Sequence, residues 1–151
     1  MTELPPDFVS WIQRLCEEGE RLADDGDYVN AVQRFRTAWN LIPEPKAACE
    51  AAFGLLGAIG DASFLSGDWQ GCRDAMQRAV KECDGAIENP FIRLRLGQSL
   101  FELGDLPEAA NWMAPAYLME GKKLFDSDKP EYLAFIKQQL QPPSGGWPEG
   151  W

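Results

Sequence analysis

Apolar residues recur at every third or fourth position through most of this chain, which is the spacing of one face of an α-helix. Seven segments carry the pattern, and short runs rich in Gly, Pro, Asn and Asp separate them. We therefore predict an all-α protein with helices at about residues 7–25, 28–42, 46–66, 69–83, 90–103, 106–124 and 129–140.

The dipeptide Gly-Asp ends a helical segment three times, at residues 26–27, 67–68 and 104–105, and another helical segment follows each time. At such a place the glycine can take the left-handed conformation that ends a helix, and the aspartate can cap the next helix. Gly19 precedes the first of these turns at a position where we expect two helices to approach closely. The chain therefore contains an internal repeat of helical hairpins.

Small and aromatic residues occupy fixed positions in the first hairpin, namely Gly19, Ala31, Phe35, Ala38 and Pro43. This pattern resembles the tetratricopeptide repeat (TPR). The same register gives Leu56, Gly60, Trp69, Cys72, Met76 and Ala79 in the second unit, and Leu96, Gly97, Leu106, Ala109, Met113 and Ala116 in the third. The resemblance implies three TPR-like helical hairpins, at about residues 12–45, 53–86 and 90–123, that form a short right-handed superhelix with a capping helix at 129–140.

The Gly-Asp marks are 41 and 37 residues apart, whereas the TPR period is about 34, so residues have been added before the second and third units. We assign residues 46–52 to extra turns on the first helix of the second unit, and the later addition to a loop near residues 85–89. Asp105 and Asp128 each stand three residues before a glutamate, which predicts a capping box at each. Pro115 predicts a kink in the sixth helix, and we expect the last helix to cover the exposed face of the third unit.

A chain of 151 residues is most simply one domain, here residues 1–140, whose core needs no disulfide or metal. Residues 141–151 are rich in Pro and Gly and contain Trp147 and Trp151, so they cannot form a regular helix. Two alternatives stay open for this tail: it is loose, or its tryptophans dock on the domain or on a partner.

The chain has 24 acidic and 14 basic residues, a net charge of −10. This balance argues against nucleic-acid binding, and it is consistent with a basic protein partner or, alternatively, with mere solubility. The first fifteen residues lack the pattern of a secretory signal, so we expect a cytoplasmic protein. Residues 47–65 are low in charge, but Glu50 and Asp61 favour a buried repeat helix over a membrane span. The oligomeric state stays open, with a homodimer among the alternatives.

The chain contains no histidine, the commonest general base near neutral pH and the commonest transition-metal ligand. Its four cysteines lack C-x-x-C spacing, which predicts reduced and mostly buried thiols at Cys16, Cys49, Cys72 and Cys83. The acidic clusters lack the spacing of a calcium loop, and no glycine-rich nucleotide motif is present. We therefore expect a protein that is not an enzyme and uses no cofactor or metal.

In the TPR family the first helix of each hairpin lines a concave groove that holds ligand peptides. The resemblance places the partner-binding candidates along this groove, at Glu17, Glu20, Asp24, Asp61, Phe64, Phe91, Arg95, Gln98, Phe101 and Glu102. The groove is then acidic at one end and aromatic at the other, which suits a basic or amphipathic segment of another protein. Phe64 and Phe101 fit equally well into the core between repeats, whereas we expect Arg95, Gln98 and Glu102 to be exposed.

TPR co-chaperones hold the acidic tails of heat-shock chaperones with a clamp of Lys, Asn and Arg. Here Cys16, Glu20, Ala58 and Phe91 stand at clamp positions and only Arg95 matches, so that function is disfavoured. Three segments, PEPKAACEA at 43–51, AIGDASFLSGD at 58–68 and NPFIRLRLGQSLFELGD at 89–105, instead resemble small stand-alone bacterial TPR proteins. Some of those proteins accompany contact-dependent toxin systems, which implies an immunity or toxin-associated role. An export chaperone of the type III secretion class is the main alternative, and an enzyme is the third.

Overall fold

The computed structural model describes residues 5–151, which form seven α-helices and no β-strand. The helices are α1 Pro6–Asp24, α2 Tyr28–Leu41, α3 Ala51–Leu65, α4 Trp69–Glu82, α5 Pro90–Glu102, α6 Leu106–Glu120 and α7 Pro130–Gln139. Short 3₁₀ helices lie in three of the connections, at Lys46–Ala48, Ala86–Glu88 and Lys122–Phe125. The prediction of an all-α fold is confirmed, while residues 1–4 of the predicted domain lie outside the described residues.

The three Gly-Asp turns share one geometry. In chain order their glycines have φ angles of 82°, 84° and 90°, which a side chain would penalise. Each aspartate donates its backbone N–H to a carbonyl five residues earlier, at 2.8, 2.9 and 2.9 Å, and so closes the preceding helix. Its carboxylate accepts a hydrogen bond from the backbone N–H three residues later, at 3.3, 2.9 and 3.4 Å, and so caps the next helix. The same local chemistry therefore builds all three hairpins.

Inside each hairpin a glycine of the first helix faces a large side chain of the second helix, sixteen residues later. The pairs are Gly19 with Phe35, Gly60 with Met76, and Gly97 with Met113. A β-carbon added at Gly19 would lie 2.5 Å from the Phe35 ring, too close for any real contact. The close approach expected at Gly19 is thus confirmed, and it recurs in the other two hairpins.

The hairpins pack in chain order, with α2 against α3 and α4 against α5. The first helices of the second and third hairpins, α3 and α5, also pack directly on each other. We call the faces of α1, α3 and α5 that point away from the second helices the inner surface. The described residues bury two apolar clusters, one around the first hairpin and α3, and one around the third hairpin and α7.

The prediction of a single helix over residues 46–66 is wrong at its start. Residues Lys46–Ala48 form a 3₁₀ helix, Cys49 is extended, and α3 begins only at Ala51. The ammonium of Lys46 donates to the Trp39 carbonyl at 3.0 Å and to the Ile42 carbonyl, and it lies 5.4 Å from the centre of the Trp39 ring. The added residues therefore cap the end of α2 instead of lengthening α3. The second addition does form a loop, with the 3₁₀ helix Ala86–Glu88.

The predicted capping boxes are also corrected. Asp105 caps α6, but the Asp105 N–H is already bonded to a carbonyl of α5, and the Glu108 carboxylate accepts from the Asn111 side chain at 3.2 Å. Asp128 caps nothing, because its carboxylate is bonded elsewhere and the residue that precedes α7 is Lys129. Helix α6 continues through Pro115 and ends at Glu120, before its predicted end at residue 124.

The C-terminal tail docks on the domain. The Trp147 ring packs edge to face on Tyr117, with ring centres 5.5 Å apart, and Trp151 packs against the same buried cluster. The Gly150 carbonyl accepts a hydrogen bond from the Lys122 N–H at 2.8 Å, directly after α6. Of the two alternatives left open for the tail, docking on the domain is the observed one.

Candidate functional site

The part of the inner surface on α1 is acidic and open. Glu17, Glu20 and Asp24 follow one another at steps of three and four residues, and all three are exposed. Within the described chain no lysine or arginine lies within ion-pair distance of these carboxylates. Burial raises the pKa of the Cys16 thiol, and the negative charges of Glu20 and Glu17 raise it further. Helix α1 thus presents a row of three exposed carboxylates that form no ion pair within the described chain.

The corresponding face of α3 carries two glycines in place of larger side chains. A β-carbon added at Gly54 or Gly57 would meet nothing within 4 Å, so these glycines face open space. Further along the same face the Asp61 side chain is 37% exposed and Leu65 is 43% exposed. The opposite faces of α1 and α3 are buried in one common apolar cluster. The acidic row on α1 and the glycines on α3 therefore belong to the same packed unit. Another backbone can approach this part of α3 closely.

The part of the inner surface on α5 is filled by a buried polar network around Arg95. Its Nε donates to Asp61 Oδ1 at 2.9 Å, and its Nη1 donates to both carboxylate oxygens of Asp128 at 3.0 and 3.1 Å. Arg95 Nη1 also donates to Gln98 Oε1 at 2.8 Å, and Gln98 Nε2 donates to Asp128 Oδ2 at 2.8 Å. The Arg95 and Asp128 side chains are only 9% and 7% exposed. The network links α3, α5 and Asp128, which lies two residues before α7.

Aromatic rings enclose this guanidinium. It lies 4.2 Å from the centre of the Phe64 ring and 5.2 Å from that of Phe91, which are cation–π distances. The Phe64 ring in turn lies 5.3 Å from Trp69 and 6.1 Å from Tyr132. Since α3 carries Phe64 and α7 carries Tyr132, the aromatic end of the inner surface is a packed core around one cation.

A second set of contacts holds α7 on the end of α5. Glu102 accepts hydrogen bonds from the Lys129 ammonium and from the Tyr132 hydroxyl, the latter at 2.8 Å. Burial raises the pKa of Glu102, but these two hydrogen bonds outweigh it and leave the pKa below its ordinary value. Phe101 packs against Tyr132 and Phe135, with ring centres 5.3 and 5.1 Å apart. The segment that begins at Asp128 therefore covers the α5 part of the inner surface, in addition to packing on α6.

The structure separates the predicted partner-binding residues into three groups. Exposed are Glu17, Glu20, Asp24 and Phe91; partly exposed are Asp61, Phe101 and Glu102; buried are Phe64, Arg95 and Gln98. The expectation that Arg95 and Gln98 are exposed is wrong, and Glu102 is largely covered, because the α7 segment bonds to their polar groups. Sequence reasoning missed Asp128, Lys129 and Tyr132 as members of this region. The available signal was the sequence D-K-P-E, which the capping-box rule assigned to a helix start.

The cysteines have no disulfide partner among the described residues, and Cys49 and Cys72 are buried while Cys16 and Cys83 are partly buried. Burial raises the pKa of Cys72 to about 12, and its thiol donates to the Arg95 carbonyl at 3.5 Å. Residues 5–151 contain no group of three or more His, Cys, Asp or Glu side chains arranged to hold a metal ion. No helix in this part of the chain has the length and apolar character needed to span a bilayer.

The fold and the inner surface define a small all-α protein of stacked helical hairpins. Comparison of the sequence with protein-family models and with curated proteins found no match. Membership of the TPR family therefore stays a prediction based on the repeated residues and turns.

Proposed function

We propose that this protein is a non-catalytic, TPR-like binding module that holds a basic, amphipathic segment of another protein on α1 and α3. The main support is the exposed and unpaired row of Glu17, Glu20 and Asp24. Like charges held in a row repel one another in the isolated protein, and a partner that carries Lys or Arg relieves this repulsion. The row also lies in a chain whose net charge is −10, which strengthens attraction of a basic partner over distance.

The adjoining face of α3 supplies the apolar part of the proposed contact. Gly54 and Gly57 leave room for a close approach, and Leu65 offers an exposed apolar side chain at the end of the same face. Apolar side chains of the segment would rest on α3 while its basic side chains reach the α1 carboxylates. This division of roles is typical of an amphipathic segment bound in a helical groove.

The length of the open surface limits the size of the segment. Because the α7 segment covers α5, only α1 and α3 remain, and these helices contain 19 and 15 residues. At about 1.5 Å per residue they are roughly 22 to 28 Å long. A helix of about 15 residues or an extended strand of about seven residues would fill such a surface.

A short acidic surface suits an immunity or toxin-associated protein that covers a basic patch on a folded toxin in the bacterial cytoplasm. An export chaperone that holds a long extended segment needs more of the groove, and the covering of α5 works against it. Hydrogen exchange of the bound partner separates the two roles, because a folded toxin stays protected whereas an exported segment held in extended form exchanges outside the contact.

The test is affinity capture from the source cell with the wild-type chain and with a Glu17→Lys/Glu20→Lys variant. Asp61 is left unchanged, because a lysine there would add a second cation beside Arg95. We expect the variant to lose a basic protein that the wild type retains, and its association with that purified protein to be about tenfold slower at low salt.

The matched control is Asp84→Lys/Glu88→Lys, which makes the same charge change at two exposed residues in the loop between α4 and α5. This control should retain the partner. If both variants capture the same proteins as the wild type with equal yield, the α1 carboxylates do not bind a partner and the proposal fails.

A further inference from the structure

The C-terminal tail bonds α7 to the end of α6. The Gly150 carbonyl accepts a hydrogen bond from the Lys122 N–H at 2.8 Å, directly after α6, and the next carbonyl, of Trp151, accepts from the Lys137 ammonium at 3.3 Å. Lys137 lies in the last turn of α7, so two consecutive residues of the tail hold two elements that the chain itself joins only through residues 121–129. The tail thus fastens the far end of α7 to the third hairpin.

The end of α6 leaves room for the backbone of the tail. Gly121 has a φ of 76°, and a β-carbon added there would lie 2.5 Å from the Gly150 carbonyl oxygen and 3.2 Å from the Trp151 ring. The Trp147 ring packs on Tyr117, which is fully buried. Both tail tryptophans are partly buried against the apolar cluster that α6 and α7 share. The tail therefore docks through backbone hydrogen bonds and apolar anchors together.

The two halves of α7 are held in different ways. The first half is bonded to α5, because Tyr132 and the preceding Lys129 both contact Glu102. Beyond Tyr132, the bond between Lys137 and the tail is the one side-chain hydrogen bond that α7 makes within residues 5–151. Loss of the tail would remove this bond and the tryptophan packing, while the first half would keep its bonds to α5.

We propose that the tail is a latch that keeps the α7 segment closed over α5. When the tail is released, the segment opens as one unit, and the inner surface then extends from α1 and α3 to α5. Opening uncovers the Arg95 guanidinium and the Phe64 ring that it packs on, which the closed segment buries. The tail contacts described above involve α6, the 3₁₀ helix after it and α7, so release loosens this end of the fold and leaves the first two hairpins intact. The latch does not depend on what α1 and α3 bind.

Amide hydrogen exchange of the full chain, measured by mass spectrometry, tests the latch. Trp147→Ala/Trp151→Ala removes both apolar anchors, and exchange of residues 133–139 should become at least about tenfold faster than in the wild type. Amides of α1 to α4 should change less than about twofold, because the opening is local. The matched control is Trp11→Ala, which removes a tryptophan of α1 that is 50% exposed and should leave the exchange of α7 unchanged. Equal acceleration in every helix would make the tail a support of the whole fold and overturns the latch.

Gly121→Ala tests the same contact without altering the tail. Its β-carbon would collide with the Gly150 carbonyl, so exchange of α7 should again accelerate at least about tenfold. Gly85→Ala is the matched control, because Gly85 has a similar φ of 79°, also precedes a 3₁₀ helix and has open space around it. It reproduces the backbone strain without the collision, and α7 should exchange as in the wild type. Unchanged exchange of α7 in both the tryptophan variant and Gly121→Ala overturns the latch.

A third variant tests whether the α7 segment opens as one unit. Asp128→Ala removes the bonds to Arg95 at the start of the segment, far along the chain from the tail. If the segment is one unit, this change also accelerates the exchange of residues 133–139, and its effect multiplies with that of the tail tryptophans when the variants are combined. If Asp128→Ala leaves the exchange of residues 133–139 at the wild-type rate, α5 and the tail hold separate units, and release of the tail does not uncover α5.

Discussion

Asp128→Ala is expected to destabilise this protein far more than removal of an ordinary loop carboxylate. In the native chain both oxygens of Asp128 accept from Arg95 Nη1, and one also accepts from Gln98 Nε2. Truncation leaves the guanidinium with a single carboxylate partner, Asp61, and leaves the Gln98 amide without an acceptor at that site. The side chains of Arg95 and Asp128 are 9% and 7% exposed, so water compensates poorly for the lost contacts.

The burial of each carboxylate sets the size of the effect. Removing one partner of a buried ion pair costs about 3 to 5 kcal/mol, and the remaining Asp61 contact places Asp128→Ala near the lower limit, at about 3 kcal/mol. Asp61 bonds to the same guanidinium but is 37% exposed, so Asp61→Ala should cost only about 1 kcal/mol. For a chain of this size about 3 kcal/mol corresponds to a fall in Tm of roughly 6 to 12 °C.

Urea unfolding followed by circular dichroism measures these differences, provided that the slope of free energy against urea stays the same in all variants. The matched control is Glu131→Ala. Glu131 is 58% exposed and its single ion pair, with Lys129, is long at 4.0 Å, so its loss should cost less than about 0.5 kcal/mol. If Asp128→Ala costs no more than Asp61→Ala, the network does not hold the α7 segment on the inner surface. In that case the covering of α5 would depend on the contacts of α7 with Glu102 and Phe101.

Three further variants test the packing of the hairpins and the role of Glu102. Gly97→Ala should cost about 1 to 3 kcal/mol, because the new methyl group would collide with Met113 and with the Ala109 carbonyl. Gly54→Ala lies in open space on α3 and should stabilise the protein by about 0.5 to 1 kcal/mol. Equal effects of the two variants in urea unfolding would contradict the packing described. Because the folded pKa of Glu102 lies below its ordinary value, its contribution to stability is complete above about pH 4.3 and is lost as the pH falls through the lower folded value. The stability difference between wild type and Glu102→Gln should therefore close in that acid range, and a constant difference down to pH 2 would refute the assignment.

The hairpins could be predicted because their signals are local. A glycine with positive φ and an aspartate that caps the next helix are adjacent in the chain, and the same pair occurs three times. The close approach at Gly19 likewise depends on one residue of each helix in a single hairpin. Such features follow from short-range chemistry that a sequence displays directly.

The covering of α5 could not be predicted because it depends on contacts between distant residues. Arg95 and Asp128 are 33 residues apart, and nothing near Arg95 in the chain indicates which carboxylates neutralise it. The D-K-P-E sequence is typical of a capping box, and only the tertiary structure reveals that Asp128 bonds to Arg95 and does not cap α7. Lys46 is a similar case. Its segment is predicted to extend α3, but its ammonium bonds to two carbonyls at the end of α2 and caps that helix.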